Sequence, residues 1–74
     1  MEDNVNSPKH YTTYSIEVID FIEEVAACYT GRNAYCIGNV IKYVTRAPHK
    51  GSMLEDLQKA RWYLDKAISK LETE

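Results

Sequence analysis

The chain has 74 residues, 45% of them hydrophobic, and a formal net charge of −2. That hydrophobic content excludes an intrinsically disordered chain, and the acidic balance argues against general binding of duplex nucleic acid. A single domain of this size buries only a thin core, so we expect a homo-oligomer in which self-association adds buried surface. The sequence has no signal peptide and no apolar run long enough to cross a bilayer, so we expect a cytoplasmic protein without a membrane partner.

Residues 1–14 are predicted to form an extended arm in front of a single helical domain, residues 15–74. The arm has no helical period, and Pro8 interrupts it. It carries a polar cluster of three candidate ligand-binding residues, Lys9, His10 and Tyr11. His10 and Tyr11 could lie over a ligand as a lid or reach a neighbouring subunit, whereas the plainer interpretation is an ordered terminal tether.

The first helix is predicted from about Ser15 to Tyr29, with Ser15 as its N-cap. An apolar stripe at helical spacing marks the face that we expect to be buried: Val18, Ile22, Val25 and Tyr29. Gly31 comes shortly afterwards, and glycine suits the left-handed position that ends many helices.

The second helix is predicted from Ala34 to Arg46, with Asn33 as its cap and Pro48 ending it. Its buried face is predicted to consist of Ile37, Val40, Ile41 and Val44. The other face carries four residues at spacing i, i+4, i+7 and i+11, namely Tyr35, Asn39, Lys42 and Arg46. Gly38 lowers helix stability, and close packing against another backbone would explain its presence.

The third helix has the clearest start, because Ser52 and Glu55 match a capping box, and it is predicted to run to about Leu71. Two heptad rows predict a seam for close antiparallel helix packing: Leu57, Leu64 and Leu71, with Met53, Ala60 and Ala67. Two i, i+4 charge pairs add support: Glu55 with Lys59, and Arg61 with Asp65. No strand pattern competes, so the predicted fold is all-α, a small three-helix domain that oligomerises through helix packing.

Cys28 and Cys36 flank the predicted turn between the first two helices. They could pair as a disulfide, but buried free thiols are the favoured interpretation. Because they have no metal-ligand spacing with the two histidines, they predict no metal site.

Basic residues gather where the second helix meets the third. The span from Arg32 to Ser52 holds four basic residues and no acidic one. Cations around a helix N-terminus make a natural phosphate site. The candidate ligand-binding residues are Asn39, Lys42, Tyr43, Arg46, His49 and Lys50, with Tyr43 as the candidate for stacking on a nucleobase. The plainer interpretation is a set of solvated side chains beside a capped helix.

Acidic residues allow a different chemistry. Glu17, Asp20 and Glu24 share a stripe on the first helix, and Glu55 and Asp56 open the third. Acids from two helices can hold Mg²⁺, as in helical nucleotide pyrophosphohydrolases, but a solvated acidic face is the favoured interpretation. We therefore predict no cofactor, with Mg²⁺ needed only if the protein is an enzyme. The sequence has no P-loop and supports no Ser/His/Asp or Cys/His arrangement.

Three segments carry a family resemblance: SPKHY at Ser7–Tyr11, GNVIKYVTRAPHKG at Gly38–Gly51 and EDLQKARWYL at Glu55–Leu64. Together with IEVIDFIE at Ile16–Glu23, they make nearly the whole chain similar to a family of small bacteriophage proteins. That family is catalogued as a domain of unknown function and is sometimes called SaV-like, and one branch is described as phage nucleotide kinases without a P-loop. The resemblance implies a nucleotide-related role in an infected bacterium.

Three functions stay open. The favoured hypothesis is a homo-oligomer that binds a nucleotide or cyclic nucleotide at the corner between the second and third helices, sequestering a signal of host defence without turnover. The second is an enzyme, either a nucleotide kinase as in the related branch or a Mg²⁺-dependent phosphohydrolase. The third is a protein-binding inhibitor that uses the acidic face of the first helix. We lean away from an enzyme, because both enzyme mechanisms need a metal near the phosphates and the basic span holds no carboxylate.

Overall fold

The described part of the chain folds into three α-helices, of which the middle one contacts both others. The computed structural model describes residues 13–74. In this range α1 is Val18–Ala26, α2 is Gly31–Arg46 and α3 is Met53–Glu72, with a 3₁₀ turn at Ala47–His49 before α3. Residues 13–74 form no strand, so the predicted all-α class is confirmed. Among these residues there is no helix that combines the length and the apolar character needed to cross a bilayer.

The first helix is shorter at both ends than predicted. It begins at Val18, and Glu17, not Ser15, holds the N-cap position with an extended backbone. It ends at Ala26, after which the backbone N–H groups of Ala27 and Cys28 close a turn by bonding back to carbonyls within α1. Ser15 therefore does not act as the cap.

The second helix begins three residues before the predicted start. Thr30 occupies the N-cap position, and Asn33, the predicted cap, lies inside the helix. Gly31 does have the left-handed conformation expected of it, with φ of +57°, but it opens α2 and does not end α1. The other end of α2 is at Arg46 as predicted, and Pro48 lies in the 3₁₀ turn that follows.

The third helix begins where the sequence predicts, with Ser52 at the N-cap position. The Ser52 side chain makes no capping hydrogen bond, so the capping box locates the helix start correctly without forming its reciprocal bonds. Of the two predicted charge pairs, Lys59 Nζ lies 3.7 Å from Glu55 Oε2, whereas Arg61 and Asp65 form no ion pair within residues 13–74.

The core between the helices is thin and consists mainly of small side chains. Its buried apolar members within residues 13–74 are Val18, Cys36, Ala47, Ala60 and Ala67. Ala60 and Ala67 let α3 approach α2 closely, as the predicted small-residue row requires. The leucine row does not join them, because Leu57, Leu64 and Leu71 are all exposed. The two rows of the predicted seam thus have different surroundings, since the alanines are buried and the leucines lie on a neighbouring, exposed face of α3.

Gly38 lies where α1 and α2 pack together. A Cβ at this position would lie 3.3 Å from Cγ2 of Ile22, which is closer than an ordinary van der Waals contact. Close packing does explain this glycine, although the neighbour is a side chain of α1 and not a backbone segment.

The two cysteines differ in environment. Both are free thiols, as expected. Cys36 is buried in the core, but Cys28 is exposed in the turn after α1, so the prediction of burial was wrong for Cys28. It lies in the turn beyond the end of α1.

Candidate functional site

Three cations surround the ring of Tyr43 where α2 faces α3. Lys42 Nζ and Lys59 Nζ each lie 5.5 Å from the ring centroid, and Arg46 Cζ lies 5.7 Å from it. These distances are within the range of cation–π attraction, which helps like charges to share a small area. We call this group, together with Tyr63, the Tyr43 cluster.

Tyr63 of α3 completes the cluster by stacking on Tyr43. Their ring centroids are 6.0 Å apart and the planes differ by 14°. The ring of Tyr35 meets Tyr63 edge-on at 6.0 Å. A hydrogen bond with Tyr35 is the main cause that raises the pKa of Tyr63 above its ordinary value, and partial desolvation adds to it. Tyr63 is therefore neutral and a hydrogen-bonding phenol at physiological pH.

The stacking leaves Tyr43 with little room for a base, since Tyr63 covers one face. Two other aromatic side chains are much more open to solvent: Tyr35 is 66% exposed and Trp62 is 58% exposed. For a planar ligand, Tyr35 is the more accessible stacking surface beside the cluster.

Arg46 is held by an acidic residue of α3. Its Nε lies 3.3 Å from Oδ2 of Asp56, whose side chain is almost completely buried, while the Arg46 side chain is 25% exposed. Neither of these two atoms makes a well-aligned hydrogen bond within the described residues, so the contact is mainly a charge pair. The basic span, which contains no acidic residue of its own, therefore meets a carboxylate of α3.

His49 is engaged in a second contact at the same corner. The Tyr14 hydroxyl donates to the Thr45 carbonyl at 2.6 Å, and His49 Nε2 lies 3.3 Å from the Tyr14 oxygen. Because the hydroxyl has one proton and gives it to Thr45, Nε2 must donate to Tyr14. This pair fastens the chain before α1 to the end of α2, so His49 already has a structural partner.

A shallow groove between α1 and α2 lies beside the cluster. Its volume is about 280 Å³, and its lining is mostly apolar, comprising Ile19, Ile22, Ala26, Ala34, Tyr35, Gly38, Asn39 and Lys42. The Asn39 amide nitrogen donates to the Tyr35 carbonyl at 2.9 Å, which fixes the orientation of that side chain. Lys42 belongs both to the groove and to the Tyr43 cluster, and it forms no ion pair with any residue in the described part of the chain.

The predicted site residues thus fall into three groups. Asn39, Lys42, Tyr43 and Arg46 lie close together along α2, whereas Lys50 is exposed in the loop before α3 and His49 faces Tyr14. The predicted residues of the arm, Lys9, His10 and Tyr11, lie outside the described residues. Lys59 and Tyr63 join the site without having been assigned to it. Their spacing of four residues on α3 placed them on one face, but only the packing of α3 on α2 brings that face to Tyr43.

The acidic residues do not assemble into a metal-binding group in the described region. Residues 13–74 contain no set of three His, Cys, Asp or Glu side chains placed to hold a metal ion. Of the acids that open α3, Asp56 faces Arg46 and Glu55 faces Lys59.

Comparison with known proteins defines the family. Residues 5–65 match a family described as a protein of unknown function, DUF3310. The chain belongs to the DUF3310 family. The matched range includes all three segments on which the resemblance was based, from Ser7–Tyr11 to Glu55–Leu64. Neither a curated protein nor a solved structure matches the chain.

Proposed function

We propose that this DUF3310 protein binds a nucleotide or a related aromatic phosphate compound and holds it without turnover. The observation that carries the proposal is the position of Lys42, a cation without an ion-pair partner in residues 13–74, between the groove and the Tyr43 cluster. An anionic ligand would supply the partner that Lys42 lacks within the described structure.

The charges of the cluster support binding of phosphate. The only ion pair of Lys59 within the described residues is an exposed one with Glu55, and such surface pairs contribute about 0–1 kcal/mol, so a phosphate can replace Glu55. Arg46 uses Nε toward Asp56, and its remaining guanidinium N–H groups can still donate. The proposed phosphate position is therefore nearer to Lys42 and Lys59 than to the corner with His49 and Lys50.

The groove supports binding of the aromatic part of the ligand. A mostly apolar lining with a few polar groups is typical of small-molecule sites. Tyr35 offers an exposed ring for stacking, and Asn39 has an amide oxygen that can accept a hydrogen bond from a base edge. A base in the groove would place an attached phosphate on the side of Lys42.

The biological setting follows from the resemblance alone. In a bacterium infected by a phage, a protein of this kind would sequester a nucleotide or a cyclic-nucleotide signal made by host defence. The alternative is a nucleotide kinase or a Mg²⁺-dependent phosphohydrolase. Such an enzyme would bind the same ligand but convert it to a product, whereas a sequestering protein would not.

Calorimetric titration with a panel of mono-, di-, tri- and cyclic nucleotides tests the proposal. We expect at least one to bind with a dissociation constant below about 100 μM, and inorganic phosphate to bind more weakly because it lacks the base. Absence of binding by the whole panel would contradict the proposal. Conversion of a bound nucleotide on addition of Mg²⁺ would contradict sequestration and favour the enzyme.

A further inference from the structure

The third helix carries a second periodic face that α2 does not cover. Six residues follow the alternating spacing of three and four that defines the a and d positions of a heptad, and we call them the outer seam: Leu54, Leu57, Arg61, Leu64, Ile68 and Leu71. The five apolar members are between 42% and 70% exposed. The face of α3 that packs on α2 is different, since Asp56, Ala60 and Ala67 are its buried residues.

We infer that the outer seam binds the outer seam of a second copy of this chain, with the two α3 helices antiparallel. Five large apolar side chains aligned along one helix, with Arg61 among them, form a strip that water solvates poorly. When two helices both have heptad spacing, the side chains of each can pack into the holes between side chains of the other. A second copy provides a matching strip of the same length.

The charged residue in the seam determines the orientation. Arg61 is central to the seam, and in a parallel pair it would face Arg61 of the second copy. In an antiparallel pair aligned at the middle of α3, Leu54 faces Leu71 of the other copy and Arg61 comes next to its Asp65. Arg61 and Asp65 form no ion pair within residues 13–74, so both charges are available to a partner. The antiparallel arrangement thus avoids the repulsion between the two Arg61 side chains and brings each Arg61 next to an Asp65 that attracts it.

The inferred interface is small, which limits its strength. Helix α3 has 20 residues and is therefore about 30 Å long. Specific interfaces typically bury about 800 Å² per partner, and we expect a single pair of such helices to bury no more than this area. We therefore expect a dissociation constant in the micromolar range.

This inference does not rest on the proposed function. Lys59 points to the opposite side of α3 from the outer seam, because successive residues of a helix are about 100° apart. Nucleotide binding at the Tyr43 cluster and dimer formation through the seam can therefore succeed or fail separately.

Sedimentation equilibrium of the full chain over a range of concentrations tests the inference. We expect a monomer–dimer equilibrium, and we expect Ile68→Glu to weaken it at least about tenfold, because in the antiparallel pair each new carboxylate would face the apolar Leu57 of the other copy. Ser69→Glu adds the same charge to the same helix outside the seam and should leave the equilibrium unchanged. A wild-type monomer at all concentrations, or equal effects of the two variants, would overturn the inference. Far-ultraviolet circular dichroism verifies that each variant keeps its helices.

Disulfide cross-linking tests the orientation. In a Cys28→Ser background, which removes the exposed thiol, Leu54→Cys and Leu71→Cys proteins are oxidised separately and as a mixture. Antiparallel pairing predicts cross-linking in the mixture alone, between positions 54 and 71. Cross-linking of each protein with itself would show a parallel pair and overturn the antiparallel arrangement.

Discussion

Replacing Asp56 with alanine is expected to lower the free energy of unfolding by about 2 kcal/mol. Asp56 is 3% exposed and its Oδ2 lies 3.3 Å from Arg46 Nε. Removal of one member of a buried pair leaves the other charge without compensation in a poorly solvated place, which typically costs about 3–5 kcal/mol. We expect less here, because Arg46 is partly exposed and its guanidinium can recover water.

Glu55→Ala is the matched control for Asp56→Ala. Both acids lie in the first turn of α3 and interact favourably with the helix dipole, so this contribution is lost in both variants. Glu55 has only an exposed contact with Lys59, so we expect a loss below about 1 kcal/mol. The free energy of unfolding of both variants is measured by urea denaturation at the same protein concentration. Equal losses would contradict a special role of the Arg46–Asp56 pair.

Replacing Lys42 with alanine is expected to weaken nucleotide binding at least about tenfold, equivalent to about 1.4 kcal/mol. Lys42 joins the groove to the Tyr43 cluster and has no ion-pair partner within residues 13–74. Its removal takes away a charge that a phosphate would contact and leaves the Arg46–Asp56 pair in place. Calorimetry with the nucleotide that binds wild-type protein best measures the change.

Lys66→Ala is the matched control for Lys42→Ala. Lys66 also lies over an aromatic ring, with Nζ 5.7 Å from the Trp62 centroid, but it does not belong to the groove or to the Tyr43 cluster. The two variants lose the same charge and the same kind of cation–π contact. We expect Lys66→Ala to bind like the wild type. An equal loss of affinity in both would mean that net charge, and not the position of Lys42, controls binding.

Rules for helix capping and turns predicted some helix ends, which depend mainly on residues adjacent in the sequence. The start of α3 after Ser52 and the end of α2 at Arg46 follow from turn and capping chemistry, and both were predicted. The same rules failed at Ser15, because a good cap residue alone does not decide where a helix begins. The predicted faces of α2 were partly wrong, because Val44 of the predicted buried face is 47% exposed, whereas Asn39 and Lys42 are half-buried beside α1.

Tertiary contacts decided the rest of the site. Nothing in the spacing of Arg46 and Asp56 indicates that α3 packs so that the acid is buried against the arginine. That contact converts one of the predicted phosphate ligands into half of an ion pair. The same packing adds Lys59, which helical spacing alone paired with Glu55, to the cations around Tyr43.

We propose that the cations around Tyr43 and the adjoining groove hold an anionic aromatic ligand. The most direct test is a titration of isotope-labelled protein with the tightest-binding nucleotide of the panel, followed by NMR of the backbone amides. We expect the largest shifts in the middle of α2, around Asn39 and Lys42, and on α3 around Lys59. Shifts confined to the polar pocket of about 400 Å³ lined by Thr30, Arg32 and Lys70, or no saturable shifts at all, would contradict it.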